Sequence, residues 1–298
     1  MHPKTILVTG AGGFAGGELA QHLARQGNRV LAGYRNTAPR VDALPKLVPV
    51  RMDLAEGVPI DEPVQAIVHA AAHTHLDPHA RARDYVRSNV TGTVALTEFA
   101  RKHDTRVIVH LSTVSIYGEV CVPTIAANTP LDRPGLYGAT KYLAELILAD
   151  HVNAFASVSL RLPGVVGRSY FKPWLGRLLA RALADEPIDA HNPLALFNNV
   201  VDTNELARCV EYLIGTEIQG SHTATLAASD PVSINEVVSA VVRLAGSRSV
   251  VSWKSGGRKS FTIDVGGIRE LGFHPVSTMA IIERYVKTNL EMKCSQEQ

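Results

Sequence analysis

The stretch Thr9-Gly10-Ala11-Gly12-Gly13-Phe14-Ala15-Gly16-Gly17 decides the fold of this chain. It follows Thr5-Ile6-Leu7-Val8, an apolar, β-branched run of the kind that forms a buried strand. It precedes a helical pattern over residues 18–26. Glycines let the backbone turn tightly and approach a pyrophosphate with no Cβ in the way. A helix starting there presents free N–H groups and partial positive charge to an anion. A strand, a Gly-rich turn and a helix in succession are the context a dinucleotide-binding motif demands.

Outward from that turn, apolar runs alternate with helical patterns. Residues 29–34, 66–70, 107–111 and 157–161 read as further strands. Near-continuous apolar strands separated by helices imply a parallel sheet covered on both faces, a doubly wound α/β Rossmann fold with ligands at the carboxyl ends of its strands. After Gly164 the pattern changes: Pro173, Pro187 and Pro193 interrupt the chain, a helix is expected over 174–184, and residues 254–275 are rich in Gly and polar groups. Residues 1–164 are therefore read as the dinucleotide-binding domain. Residues 165–298 are read mostly as a smaller C-terminal substrate lobe, with some segments returning to the main domain. The polar, basic stretch 247–260 is expected to be a solvated loop.

Composition excludes several classes. Of 298 residues, 46% are hydrophobic and 19% charged, enough apolar surface for a full core and too little charge for disorder. The net charge of +2 is spread along the chain, so the basic stripe of a nucleic-acid binder is missing. Cys121, Cys209 and Cys294 lie far apart, without metal-ligand or redox spacing, and are expected to be reduced thiols in a cytoplasm. No apolar run reaches the roughly 18 residues that span a bilayer, and no basic leader precedes an apolar segment. The expectation is a soluble, cytoplasmic enzyme with no membrane partner.

The end of the second strand bears on cofactor choice. Enzymes that use NAD place an acid there to bond the ribose hydroxyls. This chain has no acidic residue between Glu18 and Asp42, and presents Tyr34-Arg35-Asn36 instead. The Arg35 guanidinium matches a 2′-phosphate, so NADP is favoured and NAD is the alternative.

Tyr137 and Lys141 are four residues apart at the start of a helical pattern running to Ala149, and so share a helix face. A nearby ammonium favours the phenolate, letting the tyrosine exchange a proton near neutral pH. Upstream, Leu111-Ser112-Thr113-Val114-Ser115-Ile116-Tyr117-Gly118 follows an apolar strand, so its hydroxyls lie at a carboxyl end. A hydroxyl there, Thr113 above all, is suited to hold a substrate oxygen beside Tyr137.

Taken in order, these segments resemble the extended short-chain dehydrogenases/reductases, of the epimerase/dehydratase type. Residues 9–16 resemble that family's TGxxGFxG turn, and Arg51-Met52-Asp53-Leu54 its Asp-Leu adenine contact. Val68-His69-Ala70-Ala71-Ala72 resembles its HxAA segment, and Ser88-Asn89-Val90 with the following Thr-Gly-Thr its central-helix NVxGT. Residues 112–118 resemble SSxxVYG, 137–141 the YxxxK pair, 161–167 the RPxxVYG segment and 271–275 the terminal LGFxP. The resemblance implies that Tyr137 is the general acid/base, that Lys141 bonds the nicotinamide ribose and lowers the tyrosine pKa, and that Thr113 is the catalytic Ser/Thr. It implies cofactor contacts from Gly10, Gly13, Phe14, Ala15, Gly16, Asp53, Leu54, Ala70, Ala71, Ala72, Asn89 and Pro163, besides Arg35, Tyr137 and Lys141. It also implies substrate contacts from His73, His75 and Ser115, a nucleotide sugar as the small-molecule substrate, and a homodimer through helices near 91–102 and 137–149. No third ligand accompanies His73 and His75, so no metal is expected.

Two departures narrow the reaction. Sugar-nucleotide dehydratases of this type carry Asp-Glu directly after the catalytic Thr, and this chain has Val114 and Ser115. Without a carboxylate to shuttle the proton, elimination is disfavoured. An Arg that grips the nucleotide diphosphate is missing before Leu196-Phe197-Asn198-Asn199-Val200-Val201-Asp202, where the Asp is kept. The leading expectation is an NADPH-dependent reductase of a keto (deoxy)sugar nucleotide. The alternatives are an epimerase with tightly bound NAD and, more remotely, a non-catalytic dinucleotide-binding protein.

Overall fold

The computed structural model describes residues 3–40, 44–74, 77–257 and 260–296. The chain forms two units. The first comprises Met1–Glu119, Pro130–Arg161 and Ala207–Ala224; the second comprises Val120–Thr129, Leu162–Leu206 and Thr225–Gln298.

In the first unit the five apolar runs pair with two strands the sequence reading did not anticipate, Leu47–Arg51 and Ser221–Thr225, as a seven-stranded sheet: β1 (Thr5–Thr9), β2 (Arg29–Tyr34), β3 (Leu47–Arg51), β4 (Ala66–His69), β5 (Val107–Thr113), β6 (Ala156–Leu162) and β7 (Ser221–Thr225). Their order is β7-β6-β5-β4-β1-β2-β3. β1 runs parallel to β2 and β4, β2 to β3, and β4 to β5. The order reverses between β1 and β4, the switch point where a doubly wound sheet binds its ligand. Ile6, Leu7, Val8, Ile67, Val68, Ile108 and Val109 have no exposed surface, which is why these strands read as continuous hydrophobic runs. Helices α1 (Phe14–Arg25), α2 (Gly92–Lys102) and α3 (Leu136–Asp150) belong to this unit. α1 buries Leu19, Ala20, Leu23 and Ala24, an i, i+1, i+4, i+5 stripe.

The second unit has its own core. Leu175, Leu178 and Leu179 of α4 (Trp174–Leu183) pack with Val237, Val238 and Val241 and with Ile281, Ile282 and Tyr285. Between them in sequence, α5 (Thr203–Gly215) starts where the Asp202 carboxylate accepts the Glu205 N–H at 2.8 Å and pairs with both Arg284 donors at 2.5 and 2.8 Å. α6 (Ile234–Leu244) opens with a capping box: Ser233 and Glu236 exchange side-chain-to-backbone hydrogen bonds. The last helix, α7, spans Thr278–Gln296.

One expectation fails here. Residues 247–260 are not wholly a solvated loop, because Val251–Lys254 forms a strand parallel to Ile188–His191. The polar composition hid it: pairing with a distant strand satisfies the backbone of Ser252 and Trp253, whatever their side chains. Likewise, the polar stretch 254–275 contains a strand, Thr262–Ile263, and a short helix, Gly266–Glu270. Among the described residues no helix is long and apolar enough to cross a membrane.

Candidate active site

The Gly-rich turn leaves β1 through Gly10, whose φ of +70° suits glycine. A Cβ at Gly10 would lie 2.6 Å from the Ala71 nitrogen, so the turn and the segment after β4 meet backbone to backbone. Ala71 N–H donates to Thr9 Oγ1 at 3.2 Å, tying the two strand ends together. α1 begins after an extended Gly13 with no side-chain cap and no acid in its first turn, an N-terminus suited to an anion. Arg35, exposed at the end of β2, donates to Ser88 Oγ at 3.4 Å. Asp53 accepts from Ala55 N–H at 3.1 Å and from Arg87 Nη2 at 3.0 Å, and Leu54 is buried at the start of the next turn. The N–H groups of the turn and the uncapped helix, the exposed guanidinium and the accepting carboxylate of Asp53 together fit a dinucleotide.

β5 continues two residues past the expected Leu111, so Thr113 is its last residue. Thr113 Oγ1 accepts from Ser115 N–H and donates to Ser115 Oγ, both at 3.1 Å, and fixes the turn Val114–Tyr117. α3 begins against that turn. A Cβ at Gly138 would sit 2.3 Å from the Ser115 carbonyl oxygen, so only glycine permits this approach. Half-buried Tyr137 is the residue before that contact, and Lys141 follows one turn later. The packing therefore gathers Thr113, Ser115, Tyr137 and Lys141 at the carboxyl end of β5.

Lys141 is 1% exposed, and its Nζ donates to His110 Nε2 at 2.7 Å. Burial lowers its pKa to about 7, against the opposing pull of Glu145. His110 and His69 are directly paired across β5 and β4, and their rings stack 5.4 Å apart. Burial, aided by the Lys141 charge, holds His110 well below the usual histidine range and His69 at about 3. Sequence reasoning gave neither histidine a role. The available signal was a histidine inside each of two otherwise apolar strands, since such a ring needs a partner.

A stability prediction follows from His69. The unfolded chain binds a proton on this ring below about pH 6.5, and the folded protein does so only near pH 3. Unfolding therefore takes up a proton in that window, and stability falls as pH drops through it. At about pH 5 His69 alone should cost about 2 kcal/mol relative to neutral pH. Thermal unfolding at both pH values checks this, and a His69→Gln variant should lose that share of the pH slope.

Beneath the site lies a buried ion pair. Arg161 of β6 holds Glu145 of α3 through Nε and Nη2 at 2.7–3.2 Å, and both side chains are about 5% exposed. Ser112 Oγ donates to Glu145 at 2.5 Å, and Arg161 Nη1 donates to Tyr117 OH at 3.0 Å.

Asn89 lies in a wide helical turn, Val86–Thr91, of the i→i+5 kind that interrupts α-helices at functional sites. Its Oδ1 accepts from His73 N–H at 2.7 Å, and its Nδ2 donates to His73 O and to Thr140 Oγ1 at 3.1 and 3.0 Å. The His73 ring meets Tyr85 edge-on, and its Nε2 lies 3.4 Å from Asp77 Oδ2. His75 lies outside the described residues. Ala70 and Ala72 flank Ala71 after β4, and Pro163 follows β6 at the start of the second unit.

The second unit holds a feature the sequence did not reveal, a cavity of about 430 Å³. Trp174, Phe197, Asp189, His191 and Asn199 are among its lining residues, with the Trp174 and Phe197 rings 5.1 Å apart. The Asn199 Oδ1 is buried and has no hydrogen-bond partner among the described residues. Among those residues, no cluster of His, Cys, Asp and Glu suits a metal.

A doubly wound sheet, a Gly-rich turn and a Tyr-Lys pair beside a strand-end Thr define an enzyme of the extended short-chain dehydrogenase/reductase class. The sequence profile of the NAD dependent epimerase/dehydratase family matches residues 6–199, and the chain belongs to that family. It is 32% identical over 165 residues to dTDP-glucose 4,6-dehydratase of Streptomyces antibioticus, covering 49% of this chain and 48% of that one. It is 26% identical over 278 residues to D-erythronate dehydrogenase of Cupriavidus necator, covering 84% and 85%. Matches to the dehydratase relatives thus span about half of their length. Among solved structures, MoeE5 in complex with UDP-glucose and NAD superposes with a TM-score of 0.76 at 25% identity, covering 99% of this chain and 100% of that one.

Proposed function

We propose that this chain is an NADPH-dependent reductase of a keto group on a nucleotide-linked sugar. The observation that carries this reading is the turn at the end of β5: it presents the hydroxyls of Thr113 and Ser115 to the site, and its next-door positions hold no carboxylate. Elimination needs a second acid/base, and reduction needs only a proton donor and an oriented oxygen. When bound, the dinucleotide supplies the hydride. Thr113 and Ser115 hold the substrate oxygen, and Tyr137 gives that oxygen its phenolic proton. Lys141 stabilises the resulting phenolate and bonds the ribose.

The cavity of the second unit supports a nucleotide-linked substrate. Its size, its two aromatic rings and the unpartnered Asn199 carbonyl suit a heterocycle that stacks and donates a hydrogen bond. Exposed Val94 on α2, and Leu143 and Leu146 on α3, support a homodimer through those helices.

Arg35 supports NADP. Replacing it with Ala should weaken NADPH binding roughly ten- to a hundredfold, the worth of a charge-assisted phosphate contact, and leave NADH binding unchanged. Titration calorimetry with both cofactors reads this, and equal losses would remove the 2′-phosphate role.

The second reading is an epimerase that recycles tightly bound NAD, favoured by the structural match to MoeE5 with UDP-glucose and NAD. Native mass spectrometry of freshly purified protein separates the two. Retained NAD favours the epimerase; an empty protein that prefers NADPH favours the reductase. The substrate screen then pairs keto sugar nucleotides with aldonic acids, which the match to D-erythronate dehydrogenase brings in.

A further inference from the structure

We propose that His110 is a positioning residue for Lys141, a neutral acceptor that holds the catalytic amine in place without neutralising it. This rests on the Tyr137–Lys141 reading above and extends it to a residue that touches neither substrate nor cofactor.

Lys141 hangs on four rotatable bonds and is buried, so its amine must be fixed by partners. The carboxylate one turn along is already engaged: Glu145 accepts from Arg161 and Ser112. Among the described residues the only hydrogen bond from Nζ goes to His110 Nε2. The other two N–H positions are thereby left for ligand hydroxyls.

The acceptor state of His110 is set by its surroundings. Its Nδ1 faces Ser159 Oγ at 3.2 Å, a hydroxyl able to accept, so the ring proton sits on Nδ1 and the Nε2 lone pair points at Lys141. The stacked His69 is locked in turn. Thr93 Oγ1 spends its one proton on Asn89 O at 2.7 Å, so it must accept from His69 Nε2 at 3.1 Å. His69 Nδ1 then accepts from Thr9 Oγ1 at 2.8 Å. Both rings are neutral, each with one tautomer, and the β4–β5 register holds one against the other.

The groups facing Lys141 are thus His110 from β5, His69 behind it from β4, Glu145 and Tyr137 on its own helix, and Arg161 of β6 beyond Glu145. A carboxylate in place of His110 would pin the amine as a permanent ammonium. An imidazole orients it and leaves it titratable near neutrality, where burial has brought it.

Two measurements test this. The first uses cofactor-free protein with ¹⁵N-labelled lysine, the Lys141 signal being the one missing from Lys141→Met. In His110→Phe, which keeps a stacked ring and removes the acceptor, Lys141 should lose its proton about one pH unit or more lower than in the parent. In His110→Gln, which returns an acceptor near Nε2, it should titrate close to the parent midpoint. The basic limb of kcat/KM should move down with it in the Phe variant and return in the Gln variant. An unmoved Lys141 titration in His110→Phe overturns the proposal. The second needs no variant: ¹⁵N shifts of the parent's His110 ring should show protonated Nδ1 and bare Nε2, and the reverse tautomer overturns the proposal equally. The lysine titration is read without turnover. A normal rate in Tyr137→Phe would therefore sink the catalytic reading while the His110–Lys141 contact still stood.

Discussion

Tyr137→Phe should lower kcat by roughly a hundred- to ten-thousandfold, the range a positioned proton donor contributes, while dinucleotide affinity changes little. The hydroxyl is the only atom group removed. The ring still sits at the start of α3, beside the close contact of Gly138 with the Ser115 carbonyl, so the backbone of the site has no cause to shift. The cradle that would bind the pyrophosphate, from Gly10 to Gly16, lies at the end of β1 and the start of α1, on other elements than the tyrosine. Steady-state kinetics with binding measured by fluorescence quenching separate the two quantities. Parental turnover would exclude Tyr137 as the acid, and an equal loss of affinity would make it a cofactor-binding residue first.

The largest stability effect should come from Glu145→Ala. Removing that carboxylate takes the counter-ion from the buried Arg161 guanidinium, and breaking a buried pair from one side costs about 3–5 kcal/mol. Arg161→Met should cost a similar amount, by stranding the Glu145 carboxylate against Ser112. The double replacement Glu145→Leu with Arg161→Met should be less destabilised than either single change, because charge burial is expensive and a packed apolar pair avoids it. Denaturant unfolding of the parent, Glu145→Leu, Arg161→Met and the double variant forms the cycle. Strict additivity would mean that the two groups stabilise the fold independently. Because Glu145 also opposes the burial-driven fall of the Lys141 pKa, its loss should move the basic limb of the activity profile to lower pH.

The legible part of this molecule was local. The turn from Thr9 to Gly17 announced itself because the glycines sit between an apolar run and an amphipathic one, and Tyr137 with Lys141 because a helix period is visible along the chain. What stayed hidden depends on register. His69 and His110 are neighbours only because β4 and β5 pair in this register, and register leaves no mark in sequence. Glu145 and Arg161, 16 residues apart, meet only once α3 has returned beside β6. The strand at Val251–Lys254 and the cavity edged by Trp174 and Phe197 likewise need a partner from elsewhere in the chain. Composition reports how polar a segment is, and not whether a distant strand will satisfy its backbone.

Asn89 has a practical consequence for redesign. Its one amide clasps both the N–H and the C=O of His73 and also the hydroxyl of Thr140 on α3. A loop graft that imports new substrate contacts at residues 70–74 would therefore arrive without its anchor unless Asn89 and Thr140 travelled with it. The three positions make up a single exchangeable cassette, assembled from sequence segments more than sixty residues apart at their extremes, and libraries that vary one of them alone will mostly sample unanchored loops instead of new specificities.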